Sequence, residues 1–256
     1  LVAAAPPNPS YWSVHSRSTR YADALMIGGS PTVLPAPIAP TSPEYLVRPQ
    51  TQLMFGPLAF AILVGGVFAL ATLIPGYSHI EQTVSELGQV GSPTRLPFAL
   101  LLLSVAACTL VFAQALHRTA VYTNNSRVPA VLVGAMAASV MGVAVFAHPH
   151  PLHNVFGLSE LVGYQAPLLF ALRWRQDPRA EHVIAWSWAL YLVIVLAIAA
   201  NLSAPLGMED LWAYVQPRIG LAQRLLFAAW FGWCAVLGWS LRAPSWQSPT
   251  LRDRAA

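Results

Sequence analysis

The chain has 256 residues, of which 56% are hydrophobic and only 9% charged, with a formal net charge of +4. Soluble domains carry about 25% charged residues, so water is excluded as the main solvent of this chain. All fourteen basic residues are arginine, scattered over short loops rather than set in a basic stripe with aromatics, which argues against nucleic acid as a partner.

Residues 1–50 hold nine prolines, from Pro6 to Pro49, and a few aromatics such as Tyr11 and Trp12. Such a segment has no means of building a core and is expected to be an extended tail. It is also the natural place to dock other membrane-protein subunits. The first long apolar run begins near Leu53, too late for a cleavable signal sequence.

Six apolar runs follow, at about 53–74, 96–116, 128–147, 155–174, 183–202 and 220–241. Each approaches the roughly 20 residues that cross a bilayer core. Within lipid each backbone polar group needs an internal partner, so these runs are helices. The expected architecture is all-α: a polytopic membrane protein with a six-transmembrane-helix bundle over 51–243, a tail before it and a cytoplasmic tail over 244–256. Cys108 and Cys234 fall inside apolar runs and read as small buried hydrophobes.

Arginine placement sets the expected orientation. Arg118 and Arg127 follow the second run, Arg173, Arg175 and Arg179 the fourth, and Arg242, Arg252 and Arg254 the sixth. The opposite loops hold Arg95 and Arg218, with Arg224 just inside the sixth run. Both termini are expected in the cytoplasm. Trp230, Trp233, Trp239 and Trp246 suit interfacial anchoring or packing between helices. Gly134, Ala138 and Gly142, four residues apart, suit close helix packing inside the bundle.

The unusual polar residues gather in the outer loops. Ser78 and Glu81 read as a capping box opening a short interfacial helix that Gly88 ends. Ile80, Val84 and Leu87 share its apolar side, and His79, Thr83 and Glu86 adjoin it. In the second outer loop, prolines favour extended backbone, placing His148 and His150 on one side. His153, Gly157, Glu160, Tyr164 and Pro167 then form one stripe at helical spacing.

Glu160 lies about two turns into the fourth run, where a charge is costly and seeks a partner. Arg224 is the expected one, as a structural ion pair. The functional alternative is a metal site: His79, His148, His150 and His153 could bind a divalent cation such as zinc. Ser85, Glu86 and Glu160 are then the candidate catalytic groups, as nucleophile and base. The histidine spacing matches no zinc-protease helix motif, and the histidines would equally serve as helix caps and hydrogen-bonding groups.

Three stretches carry a resemblance. They are Pro75-Gly-Tyr-Ser-His-Ile-Glu-Gln-Thr-Val-Ser-Glu-Leu-Gly88 with Gly91-Ser-Pro93, then His153-Asn-Val-Phe-Gly157 to Gly163-Tyr-Gln-Ala-Pro167, and last Gly220-Leu-Ala-Gln-Arg224-Leu. From about Leu53 to Leu241 the chain resembles bacterial proteins of the domain-of-unknown-function family 998, distantly similar to DRAM-like hexahelical proteins. The resemblance implies a six-helix protein of a bacterial inner membrane, and no established reaction. It also implies that Ser85, Glu86, His153, Asn154, Glu160 and Arg224 share one feature.

Two functions follow as expectations. One is an accessory subunit of a larger membrane assembly, bound through the tail. The other is a metal-dependent membrane-embedded hydrolase acting on a lipid or other interfacial substrate. A transporter is a weaker third, because the sequence shows no inverted repeat and no discontinuous span with a mid-membrane charge.

Overall fold

The structure, a computed structural model, describes residues 49–243 and Trp246. All but the last residues of the expected proline-rich tail, and most of the expected C-terminal tail, lie outside them. The described residues contain helices and no strand. The helices are α1 (Pro49–Leu53), α2 (Phe55–Ala71), α3 (Arg95–Tyr122), α4 (Val128–Val145), α5 (Pro151–Gly163), α6 (Ala166–Arg173), α7 (Glu181–Asn201), α8 (Glu209–Val215) and α9 (Ile219–Ser240).

Six helical stretches are long and apolar enough to cross a membrane: Gln50–Ala71, Arg95–Tyr122, Val128–Val145, Pro151–Arg173, Pro178–Asn201 and Glu209–Ser240. The protein is therefore a multi-pass integral membrane protein. Large apolar side chains such as Phe68, Leu96, Val131, Leu192 and Leu196 lie exposed on its flanks, where lipid tails are their solvent.

The interior is aromatic. Trp174, Trp230, Trp233, Phe112 and Phe170 are fully buried. Of the tryptophans in the sixth span, only Trp239 is exposed. Trp233 instead reaches across to α7, donating its Nε1–H to Ser187 Oγ at 2.9 Å. Cys108 and Cys234 are free thiols, both buried. In the third span, Gly142 closes on the ring of Phe156 in α5. Ala138 faces outward, so the small-residue stripe packs internally only in part.

The fourth span is discontinuous, contrary to the sequence expectation. The α-helix stops at Gly163 and restarts at Ala166. Pro167 causes the break: it has no N–H for the carbonyl of Gly163, four residues earlier. Trp230 of α9 takes that place, donating its Nε1–H to the Gly163 oxygen at 2.9 Å. Gln165 repairs the next gap by donating Nε2–H to the Leu161 oxygen at 3.1 Å. Its own Oε1 accepts from Tyr191 OH at 2.8 Å. Freed backbone groups in lipid need such substitutes: here α9 supplies one directly, and α7 steadies the side chain that supplies the other.

The loops form two ends. At one, Asn125 donates to Asp177 at 2.8 Å and Trp174 donates to the Ser126 oxygen at 3.0 Å. Asp177 also pairs with Arg179 at 2.8 Å. Burial pushes the Asp177 carboxyl up, but the donors from Arg179 and Asn125 outweigh it and hold the group below its usual range. The other end carries the loops after the first, third and fifth spans. It is called the odd-loop end below.

Candidate functional site

At the odd-loop end, residues 75–94 fold over the bundle as a cap. The expected helix from Ser78 to Gly88 does not form as one piece. Ser78 heads a single turn, its oxygen accepting from Gln82 N at 2.9 Å. A separate 3-10 helix runs from Val84 to Gly88. Thr83 between them is extended. Its N–H goes to Glu86 Oε1 at 2.8 Å, so the complete capping box is Thr83–Glu86, while of the expected Ser78–Glu81 box only the Glu81 N–H to Ser78 Oγ contact forms, at 3.3 Å. The consequence for burial is direct: Val84 and Leu87 are buried, while Ile80 is exposed.

Arg224 explains why no continuous helix forms. In an α-helix the His79 oxygen would accept from Thr83 N. Here it accepts from Arg224 Nη1 at 2.8 Å, as does the Gln82 oxygen at 2.8 Å. Nη1 also reaches Gly220 O at 2.9 Å, and Nη2 donates to Tyr77 OH at 2.7 Å. Tyr77 OH in turn donates to the Thr83 oxygen at 2.7 Å. Burial pushes the Tyr77 phenol up, against the pull of Arg224, so it remains a hydroxyl donor.

The start of α9 completes the seat. Leu221 N donates to Ile80 O at 3.1 Å, and Gln223 Oε1 accepts from Val84 N at 2.6 Å. Gly220 is required here because a Cβ would strike the Gln82 carbonyl. The expected Glu160–Arg224 ion pair is therefore not made. Arg224 is spent on the cap, and Glu160 accepts from Tyr164 OH at 2.9 Å, within its own span.

The candidate residues separate into distinct places. Glu86 is committed to the cap, accepting from Thr83 N, Thr83 Oγ1 and Gln82 Nε2. His79 packs on Phe68 at 4.6 Å and Tyr77 at 5.5 Å between ring centroids. Burial, then the nearby Arg224 charge, pushes its imidazole pKa down. His150 caps α5, its Nδ1 accepting from Leu152 N at 3.1 Å. His148 instead turns its ring toward His153, with centroids 5.8 Å apart. Its oxygen accepts from Val90 N at 2.9 Å, tying the two loops together. Asn154 is exposed. Among the described residues no group of three His, Cys, Asp or Glu side chains is placed to hold a metal ion.

Ser85 and His153 come together instead, as lining of one half-open cleft between α3 and α4. Its volume is about 540 Å³, within the roughly 300–1,000 Å³ of small-molecule sites. Its walls are largely apolar, with Leu96, Phe98 and Leu103 on one side and Val143 and Val145 on the other. Leu96 and Leu103 are also exposed on the lipid-facing flank. Ser92 and Arg95 line the cleft at the beginning of α3, where the second span meets the odd-loop end. Ser92 and Thr94 hold this rim by donating to the Leu87 oxygen at 3.0 and 2.6 Å.

The His153 tautomer follows from its partner. Its Nδ1 lies 2.8 Å from the Phe146 oxygen. A carbonyl only accepts, so Nδ1 carries the proton, and in the neutral form of the ring the lone pair is on Nε2. The Ser85 hydroxyl has no hydrogen-bond partner among the described residues. The cleft thus combines an apolar trough, a cation at its rim, an unengaged hydroxyl and an imidazole with a fixed tautomer. Sequence reasoning found Ser85 and His153 but missed Ser92, Arg95, Tyr77 and Gln223. Gly220, Gln223 and Arg224 share one turn of α9, and a glycine beside a membrane arginine was the available sign of a backbone crossing there.

Comparison with curated proteins and with solved structures yields no match. Over residues 57–240 the chain matches the family described as Protein of unknown function (DUF998). That match takes in all six spans in whole or in large part, together with the cap and the cleft, and the chain belongs to this family.

Proposed function

We propose that this membrane protein binds an amphiphile of the outer leaflet, with an acyl chain in the α3–α4 cleft and a polar head at Arg95, Ser92, Ser85 and His153. The orientation in this reading places the odd-loop end outside and both termini in the cytoplasm of a bacterial inner membrane, on the asymmetry of arginine between the two sets of loops. The observation that carries the binding reading is the cleft itself. It is apolar along its walls, open on the lipid-facing flank and polar only at one end. A soluble ligand would have little use for a trough flanked by Leu96 and Leu103, and a lipid chain has no cost in leaving the bilayer for it.

Native mass spectrometry of the protein released from membranes tests the reading. The wild type is expected to retain a co-purified anionic lipid or fatty acid, and Ala99→Trp, which fills the trough, is expected to lose it. Equal lipid retention by the two proteins would refute the assignment.

A hydrolase acting on that lipid is the second reading, and the His153 tautomer favours it. Nε2 is the proton acceptor such chemistry needs, and the Ser85 hydroxyl the nucleophile. It predicts that Ser85→Ala retains the lipid but abolishes release of fatty acid from a supplied ester. The accessory-subunit reading rests on the composition of residues 1–50. No feature of the described residues favours it, and co-purification of other membrane proteins that disappears on deleting those residues would revive it.

A further inference from the structure

A second, smaller void lies beneath the 3-10 helix. Its volume is about 30 Å³, and Ser85 and Glu160 are its polar lining. The rest is apolar and comes from four helices, with Leu63 of α2, Leu102 of α3, Val140 of α4 and Phe227 of α9 among the contacts. A water needs roughly 10–15 Å³ of such space and two or more polar partners. The void meets both conditions for one water between Ser85 and Glu160.

Its position gives that water a role. Ser85, Phe98 and Val143 line both the void and the open cleft. Ser85 is therefore the polar step between them. Glu160 is more than nine-tenths buried, and among the described residues its side chain accepts one hydrogen bond, from Tyr164 OH. Among the described residues no cation pairs with it: Arg224, the nearest candidate by sequence, is turned to the cap. Among the described residues no other titratable side chain lines the void. A carboxylate so placed, in lipid and without a counter-ion, is costly, and taking up a proton removes the cost.

We propose that Glu160 is a proton-binding site that exchanges with the aqueous phase at the odd-loop end through one buried water and the Ser85 hydroxyl. The site stands independently of the amphiphile reading, since it requires only the seam under the cap. Tyr164, one turn further along the span, orients the carboxyl by holding Oε2. The broken fourth span gives the pair its setting, as Glu160 sits in the last turn before the break.

Infrared spectroscopy of the full chain in lipid tests this. The carboxylic C=O stretch of Glu160 should be present in the wild type, absent in Glu160→Gln, and lost on raising pH. On transfer to D2O it should shift without delay in the wild type. In Ser85→Val, which removes the hydroxyl and fills the seam with methyl groups, the band should persist while its shift slows by an order of magnitude or more. Should Glu160→Gln fail to fold, Glu160→Asp must move the band. A spectrum unchanged by either substitution would overturn the proposal. A Ser85→Val protein that exchanges as fast as the wild type would overturn it too.

Discussion

Arg224 illustrates how one side chain fixes a larger arrangement. Its guanidinium bridges two loop carbonyls, one carbonyl of its own helix and the Tyr77 hydroxyl. Lysine keeps the charge but has neither the planar fork nor the reach to two groups at once. Arg224→Lys should therefore destabilise the protein by about 1.5–3 kcal/mol, the range for hydrogen bonds to charged groups, seen as a lower midpoint on thermal unfolding in detergent. Gly220→Ala should do comparable damage at about 1–3 kcal/mol, because the added methyl forces the loop backbone away. An Arg224→Lys protein as stable as the wild type would show that the cap is not held as described.

His79 makes a pH prediction at the same scale. Burial and the Arg224 charge depress its folded-state pKa, so between the folded and unfolded values the unfolded chain binds the extra proton. The stability that this residue supports is complete above about pH 6.5, the unperturbed value. It is lost as pH falls through the depressed folded value. The difference in unfolding midpoint between wild type and His79→Gln should consequently shrink in acid. A difference that grows in acid would reverse the sign and the explanation.

At the scale of elements, the fourth span shows what the sequence could and could not tell. The stripe of His153, Gly157, Glu160, Tyr164 and Pro167 was legible from spacing, and all of it is buried except the half-buried Gly157. The break was not, because Pro167 alone does not say whether a helix bends or stops. That outcome depends on Trp230 and Gln165 being placed to satisfy the freed carbonyls, and Trp230 lies 67 residues from Gly163. Replacing Trp230 by Phe removes the donor and leaves the Gly163 carbonyl buried without a partner. The expected cost is about 1–3 kcal/mol, measurable by the same unfolding assay, with Trp239→Phe on the exposed surface as the neutral control. The cap was half legible for a similar reason. Its turn residues and apolar positions stand in the sequence, but Arg224, more than 140 residues away, takes the carbonyls that a continuous helix would use.

For the molecule as a whole, hydropathy was enough to reveal six spans, since continuous apolar runs in a bilayer leave only the helix. The gathering of Ser85 and His153 was also foreseeable, because alternate loops of a six-span bundle meet at one end. The separation of Glu86, His79 and His150 from that pair was not, as each is taken by a local role in capping or ring packing. What remains is a cleft that opens toward lipid, with a cation at its rim and a hydroxyl and an imidazole inside it. A photoactivatable fatty-chain lipid, irradiated with the protein in vesicles and mapped by mass spectrometry, tests its use directly. Adducts concentrated on Leu96, Leu103 and Val143, and lost in Ala99→Trp, are the result this account predicts. Adducts spread evenly over lipid-facing positions such as Leu192 and Leu196 of α7 would contradict it.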